Sequence, residues 1–186
     1  NLALQEEIEE RRRAERALQR SEEKFAAAFR SNPCPMVITS FDDSRVIDVN
    51  DVLVRQSEYT RGELIGTDAK DLVFWVDPSE LASVTTELVD RGRVATREVR
   101  WRTKEGRVAT VLYTADTIEI DGERCVLSVA EDITARKQAE ARHRAVLRAL
   151  PHRNRVGQRL RGHDDRAGVH ACVANQALES LGRLVD

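Results

Sequence analysis

Few residues of this chain have the type and spacing that covalent or metal chemistry requires. Cys34, Cys125 and Cys172 are odd in number, far apart and without His or Cys neighbours at metal-ligand spacing. They read as free thiols of a reducing, cytoplasmic compartment. Cys125 lies in an apolar run and reads as a small packed hydrophobe; Cys34, in a proline-bounded turn, is expected to be the exposed thiol, with nothing near it to lower its pKa. His143 is followed by Arg144-Ala145-Val146, not by the acidic residue and proline that accompany a phospho-accepting histidine. His163-Asp164-Asp165 has no further ligands at useful spacing, and no Gly-rich phosphate loop or acidic two-metal motif is present. No catalytic or metal site is therefore assigned. The polar group that remains is Asp132-Ile133-Thr134, where short oxygen-bearing side chains stand between a strand-like run, Cys125 to Val129, and a run of helix formers from Thr134. Such side chains can accept hydrogen bonds from the unpaired N–H groups of a first helical turn, at about 1 kcal/mol per cap. A stiff strand-to-helix joint can transmit a change in one element to the other.

The elements that position this joint follow from pattern. Residues 1–30 contain no Pro or Gly, and Leu4, Ile8, Leu18, Phe25 and Phe29 fall near one stripe of a 3.5-residue repeat, the seam of a dimeric coiled coil. Arg11, Glu15 and Glu22 fall on the same seam, so a solvated charged helix is the alternative. Pro33 and Pro35 end the helix. Strand-like runs at Met36 to Ser40 and Arg45 to Val49 flank Asp42-Asp43-Ser44, a hairpin by composition. Asn50 caps a short helix. Thr60-Arg61-Gly62-Glu63 has capping-box spacing, and Asp77-Pro78-Ser79-Glu80 starts a helix that runs to Arg91 before Gly92. Strands are expected at Val94 to Arg102, Val108 to Thr117 and Arg124 to Glu131, with turns at Lys104-Glu105-Gly106 and Asp121-Gly122. Two strands, helices, then three strands describe an α+β domain with an antiparallel sheet and helices on one side.

With 30 Lys+Arg against 32 Asp+Glu the formal charge is −2, so no net field draws the chain to nucleic acid or to an anionic membrane. No apolar run reaches the roughly 18 residues of a membrane span. The chain opens on Asn within a helical pattern, which suggests a piece of a longer protein whose other parts could include a membrane anchor.

Taken together and in order, Glu23-Lys24-Phe25 with Phe29 and Pro33, Val46-Ile47-Asp48-Val49-Asn50-Asp51, Tyr59 to Gly66, Trp75-Val76-Asp77-Pro78, Lys104-Glu105-Gly106 and Glu131-Asp132-Ile133-Thr134 resemble the PAS domain of bacterial sensor kinases over residues 20–140. The resemblance implies a five-stranded antiparallel sheet of order 2-1-5-4-3 cupped by short helices around an apolar pocket. It also implies flanking helices that pair the domain into a homodimer and relay a signal through Asp132, Ile133 and Thr134 to a C-terminal effector such as a kinase transmitter.

Within that resemblance, flavin-binding relatives carry a reactive cysteine where this chain has Ala69, and a glutamine where it has Ala130. Haem-binding relatives use a histidine on the long helix, whereas all four histidines here lie beyond residue 140. No cofactor is expected, and the protein should be colourless. If Ala130 faces the pocket, strand alternation puts Ser128 and Val126 there too, with Ala69 and Trp75 as further lining. Cys125, Leu127 and Val129 then face the opposite side, where Phe25 and Phe29 of the same chain or a partner would cover them. The pocket could take a small apolar or carboxylate ligand or be a filled core, since buried apolar residues need no ligand to account for them. Trp75 and Trp101 are read first as packing residues.

The expected organisation is an N-terminal helix (1–30), the PAS-like domain (31–133), a signalling helix (134–150) and an unassigned stretch (151–186). Residues 139–151 weakly repeat 21–33, and an amphipathic helix is possible from Ala171 to Val185. The functional expectation is a non-enzymatic sensory and dimerisation module. The alternatives are a fragment of a histidine kinase or nucleotide cyclase lacking its catalytic part, and a ligand-free dimer spacer.

Overall fold

The computed structural model describes residues 2–149; the stretch 151–186, with Cys172, the His163 cluster and the helical pattern from Ala171, lies outside them. Helix α1 (Leu2–Ser31) runs without a break until Pro33, as a segment lacking Pro and Gly should. Strands β1 (Met36–Ser40) and β2 (Val46–Val49) pair antiparallel, and Asn50 then caps α2 (Asp51–Ser57) by accepting from the Leu53 N–H. Helix α3 (Arg61–Leu64) starts at a complete capping box between Thr60 and Glu63. Helix α4 (Pro78–Arg91) has Pro at its first turn, Asp77 as N-cap and Gly92 as C-cap at φ +71°, a left-handed conformation that costs glycine little. Strands β3 (Arg93–Arg102), β4 (Val108–Ile120) and β5 (Glu123–Asp132) follow, and α5 (Thr134–Ala149) leaves the sheet.

The sheet order is β2-β1-β5-β4-β3, antiparallel at every junction. Strand β4 runs three residues past the expected Thr117. The two-residue turn at Asp121-Gly122, both at positive φ, lets β4 and β5 pair up to Ile120 and Glu123. Arg45 is not in β2 but makes an isolated bridge with Asp68, which ties the hairpin to the loop before α4.

The two sheet faces carry different cores. On the outer face Met36, Ile38, Cys125, Leu127 and Val129 pack beneath Phe29, with Phe25 and Ala28 beside it. The i, i+3, i+4 spacing of Phe25, Ala28 and Phe29 puts all three on one side of α1, so α1 of the same chain covers this face. Phe29 is 2% exposed, a burial that contributes about 1.5–3 kcal/mol. Cys34 joins this core. Its thiol is therefore buried and not exposed as expected, and burial, reinforced by the Glu131 charge, pushes it up to about 11. On the inner face Val99, Val111, Tyr113, Ala115, Val126 and Ala130 form a second core under α4.

Candidate functional site: an inner cavity and the strand-to-helix joint

A cavity of about 120 Å³ lies between the inner sheet face and α4. Its floor includes Thr39, Val126, Ser128 and Tyr113, which alternation turns to this side of the sheet, and its roof includes Leu81, Val84 and Leu88 of α4. The loop before α4 closes one flank with Ala69, Phe74 and Trp75. Of the residues expected to line a pocket, Val126, Ser128, Ala69 and Trp75 are in this wall. Ala130 is not: it belongs to the same core, but its cross-strand partner Tyr113 lines the cavity in its place.

An aromatic cluster forms part of the wall. Trp101 stacks on Phe74 with centroids 5.2 Å apart, and Trp75 meets Tyr113 edge-on at 5.2 Å. Trp101 and Tyr113 are among the wall residues that the sequence did not point to, with Thr39, Phe74 and the α4 residues Leu81, Val84 and Leu88. The signal was available in β4, where Ala109, Val111, Tyr113 and Ala115 alternate onto one face, and Trp101 is the cross-strand partner of Ala109. The Tyr113 hydroxyl and Ser128 Oγ are 2.9 Å apart. Burial pushes the phenol up to about 12 against the opposing pull of the Ser128 bond, so it stays protonated, and one of the two hydroxyls donates to the other. The Trp101 Nε1–H, also buried, has no partner among the described residues. A cavity of about 150 Å³ holds one benzene. At about 120 Å³ this one has room for a single small ring.

The joint is built differently from a simple helix cap. Asp132 Oδ1 accepts from the Thr134 N–H at 2.8 Å, as a capping side chain should. Thr134 does not cap. Its Oγ1 accepts from the Thr110 N–H of β4 at 2.9 Å, while the Ile133 N–H donates to the Thr110 carbonyl at 2.9 Å. The pairing of β4 with β5 ends at Val111 and Asp132, and the joint continues it, with a side-chain hydroxyl in place of a strand carbonyl. Ile133 is 2% exposed and anchors the turn in the domain. Lys137 Nζ lies 2.6 Å from Glu98 Oε1 on β3, an exposed pair that contributes at most about 1 kcal/mol. Beyond Lys137, α5 is exposed as far as Val146, and Val146 itself is 60% exposed.

Asn50 is a further hub. Fully buried, its Oδ1 accepts from the N–H groups of Met36 and Leu53, and its Nδ2 donates to the carbonyls of Phe29 and Cys34. One amide thus ties the end of α1, the start of β1 and the start of α2 together, and all four of its hydrogen-bonding positions are used.

Of the expected dimer stripe, Phe29 is buried within its own chain and Phe25 is half-buried beside it, their rings stacked 6.0 Å apart; neither is free for a partner as expected. Ile8 and Leu18 remain 42% and 62% exposed, and Leu4 lies in the first turn of the same helix. Among the described residues no cluster of three or more metal-ligating side chains occurs, and no helix is long and apolar enough to cross a membrane.

Comparison with known proteins gives one consistent result. A methyl sulfide methyltransferase-associated sensor of Methanosarcina acetivorans is 27% identical over 135 residues, 69% of this chain, which spans only 13% of that protein's length. A crystallised PAS domain from a two-component sensor histidine kinase aligns at TM-score 0.50 and 22% identity, covering 60% of this chain and 96% of that one. A domain of a sensory box sensor histidine kinase/response regulator from Geobacter sulfurreducens aligns at 0.50 and 24%, covering 60% and 93%. At these identities the structural matches speak for the fold alone. The PAS domain family itself matches residues 33–135, more than half of the sequence and the whole of the sheet with its joint, and the chain belongs to that family.

Proposed function

We propose that this chain is the sensory and dimerisation module of a cytoplasmic signal-transduction protein, which passes a signal from the PAS domain through Asp132, Ile133 and Thr134 to an effector C-terminal of α5. The observation that carries the proposal is the double engagement of Thr110: its carbonyl by the Ile133 N–H and its N–H by the Thr134 hydroxyl. Strand β4 contributes Tyr113 to the cavity wall three residues from Thr110. A shift of β4 caused from the cavity would therefore move the root of α5 with it. Residues 31–133 act as the sensor unit, α1 as the dimer helix and α5 as the output. The two-component sensors among the structural matches make a histidine-kinase transmitter the favoured effector.

Dimerisation rests on α1, where Ile8 and Leu18 remain uncovered after Phe25 and Phe29 have packed on the sheet. In a parallel pair of such helices the uncovered residues would meet their symmetry mates. Fusion through α5 to a histidine-kinase transmitter tests the relay. The parent should set the autophosphorylation level, and Asp132→Ala combined with Thr134→Val should shift it at unchanged expression. An unchanged level in the double variant would contradict the proposal.

A further inference from the structure

We infer that α1 takes a second copy of this chain as its partner in antiparallel orientation, paired about Arg13, with Ile8 of each copy against Leu18 of the other. The inference rests on α1 as the dimer helix and supplies the direction of that helix pair. Gln5 to Arg20 are exposed throughout, and their only large apolar side chains are Ile8 and Leu18. Between these two the same seam carries Arg11 and Glu15, an exposed pair that meets along the helix at 3.1 Å. A parallel pair would set every seam residue against its symmetry mate. Ile8 and Leu18 gain by that, but Arg11 would meet Arg11 and Glu15 would meet Glu15 in the layers between, and like charges there oppose association. Turning one helix around exchanges the partners. Ile8 then meets Leu18, Arg11 meets Glu15, and the twofold axis repeats both layers, so the whole stretch matches apolar with apolar and acid with base.

The charges off the seam agree. Glu6 to Glu10 carry four carboxylates and no cation, whereas Arg11 to Arg20 carry five guanidinium groups with Glu15 as the single acid. Antiparallel pairing lays the acidic block of each copy along the basic block of the other; parallel pairing lays like on like. Glu22, the remaining charge on the seam, falls opposite Leu4 at the ends of the pair, where it stays in water. The paired stretch ends before Phe25, which packs on the sheet of its own chain. The two Phe25 positions then lie about 36 Å apart along the pair, at about 1.5 Å per residue.

Salt separates the two directions in the unmodified chain. Measured by sedimentation between about 0.05 and 0.5 M sodium chloride, the dimer should weaken at least about threefold, because salt screens the attraction between the blocks. A dimer that holds or tightens as salt rises would overturn the inference, since screening relieves the repulsion of a parallel pair. Cysteine cross-linking reads the direction itself. In a Cys172→Ser background, Ile8→Cys and Leu18→Cys are oxidised with diamide, separately and as an equimolar mixture; Cys34 and Cys125 are buried and take no part. The mixture should yield a disulfide between residues 8 and 18, and neither variant alone should link to itself. Self-linked variants with no link between residues 8 and 18 in the mixture would overturn the inference. Where a cysteine variant no longer dimerises in the same sedimentation run, the salt response of the parent decides. A dimer of the wrong direction leaves α1 as the dimer helix, whereas a monomeric parent removes that reading and this inference together.

Discussion

Asn50 and Thr134 show how single side chains hold this domain's two helical extensions to its sheet. The Asn50 carboxamide serves backbone groups 14, 16 and 21 residues away in sequence as well as its own helix. Asn50→Ala would leave two N–H and two carbonyl groups buried without partners, and with water admitted to some of them the loss should be about 2–4 kcal/mol by urea denaturation. A loss below about 1 kcal/mol would mean that the hub is redundant. The capping role of Asn50 was legible from its place before a short apolar helix, because capping is a local property. Its other three bonds were not, since nothing in the neighbouring sequence says which distant carbonyls will come within reach. Thr134 was misread for the same reason. Its position at a helix start suggested a cap, but Thr110 lies beside it in space and Asp132 already meets the Thr134 N–H.

Among the described helices, α3 is the shortest, and its first turn is held by a carboxylate. Hydrogen bonds from Lys104, with the Thr60 backbone and hydroxyl beside it, hold the Glu63 carboxyl down to about 2. Because the folded value lies below the ordinary carboxylate value of about 4.3, this stabilisation is complete above that value. It is lost as pH falls through the folded value. Protection of the α3 amides should therefore stay level down to about pH 4.5 and decline between there and pH 2. Glu63→Gln should flatten that decline, and an equal decline in the variant would assign it to other carboxyls. Helix caps, turns and strand alternation were readable here because each depends on residues within a few positions: Thr60 with Glu63, Asp121 with Gly122, Val126 with Ser128. Strand ends were less so. Only the pairing across the Asp121-Gly122 turn carries β4 to Ile120.

For the whole molecule, the order β2-β1-β5-β4-β3 was not a consequence of pattern; it came with the family resemblance, because nothing local in β1 specifies that β5 will lie beside it. The two-faced core was legible from the alternation of β5, which turns Leu127 outward to α1 and Ser128 inward to the cavity. Cavity volume was not, since it depends on how α4 and the loop before it settle on the sheet. Exposure of Ile8 and Leu18 predicts a homodimer, and Leu18→Glu should shift sedimentation of a sample at tens of micromolar toward the monomer; a parent that is already monomeric there would remove α1 as the dimer helix. Helix α5 is rooted in β4 through Thr110. Hydrogen exchange along α5 in Asp132→Ala and Thr134→Val tests it most directly. Asp132→Ala loses the bond to the Thr134 N–H and Thr134→Val both bonds of its hydroxyl to Thr110, each change costing about 0.5–2 kcal/mol, so amides of residues 135–145 should exchange about 2- to 30-fold faster while β1 and β5 keep their protection. Unchanged exchange along 135–145 in both variants would show that the helix is not held there, and the relay assigned to Asp132, Ile133 and Thr134 would fall with it.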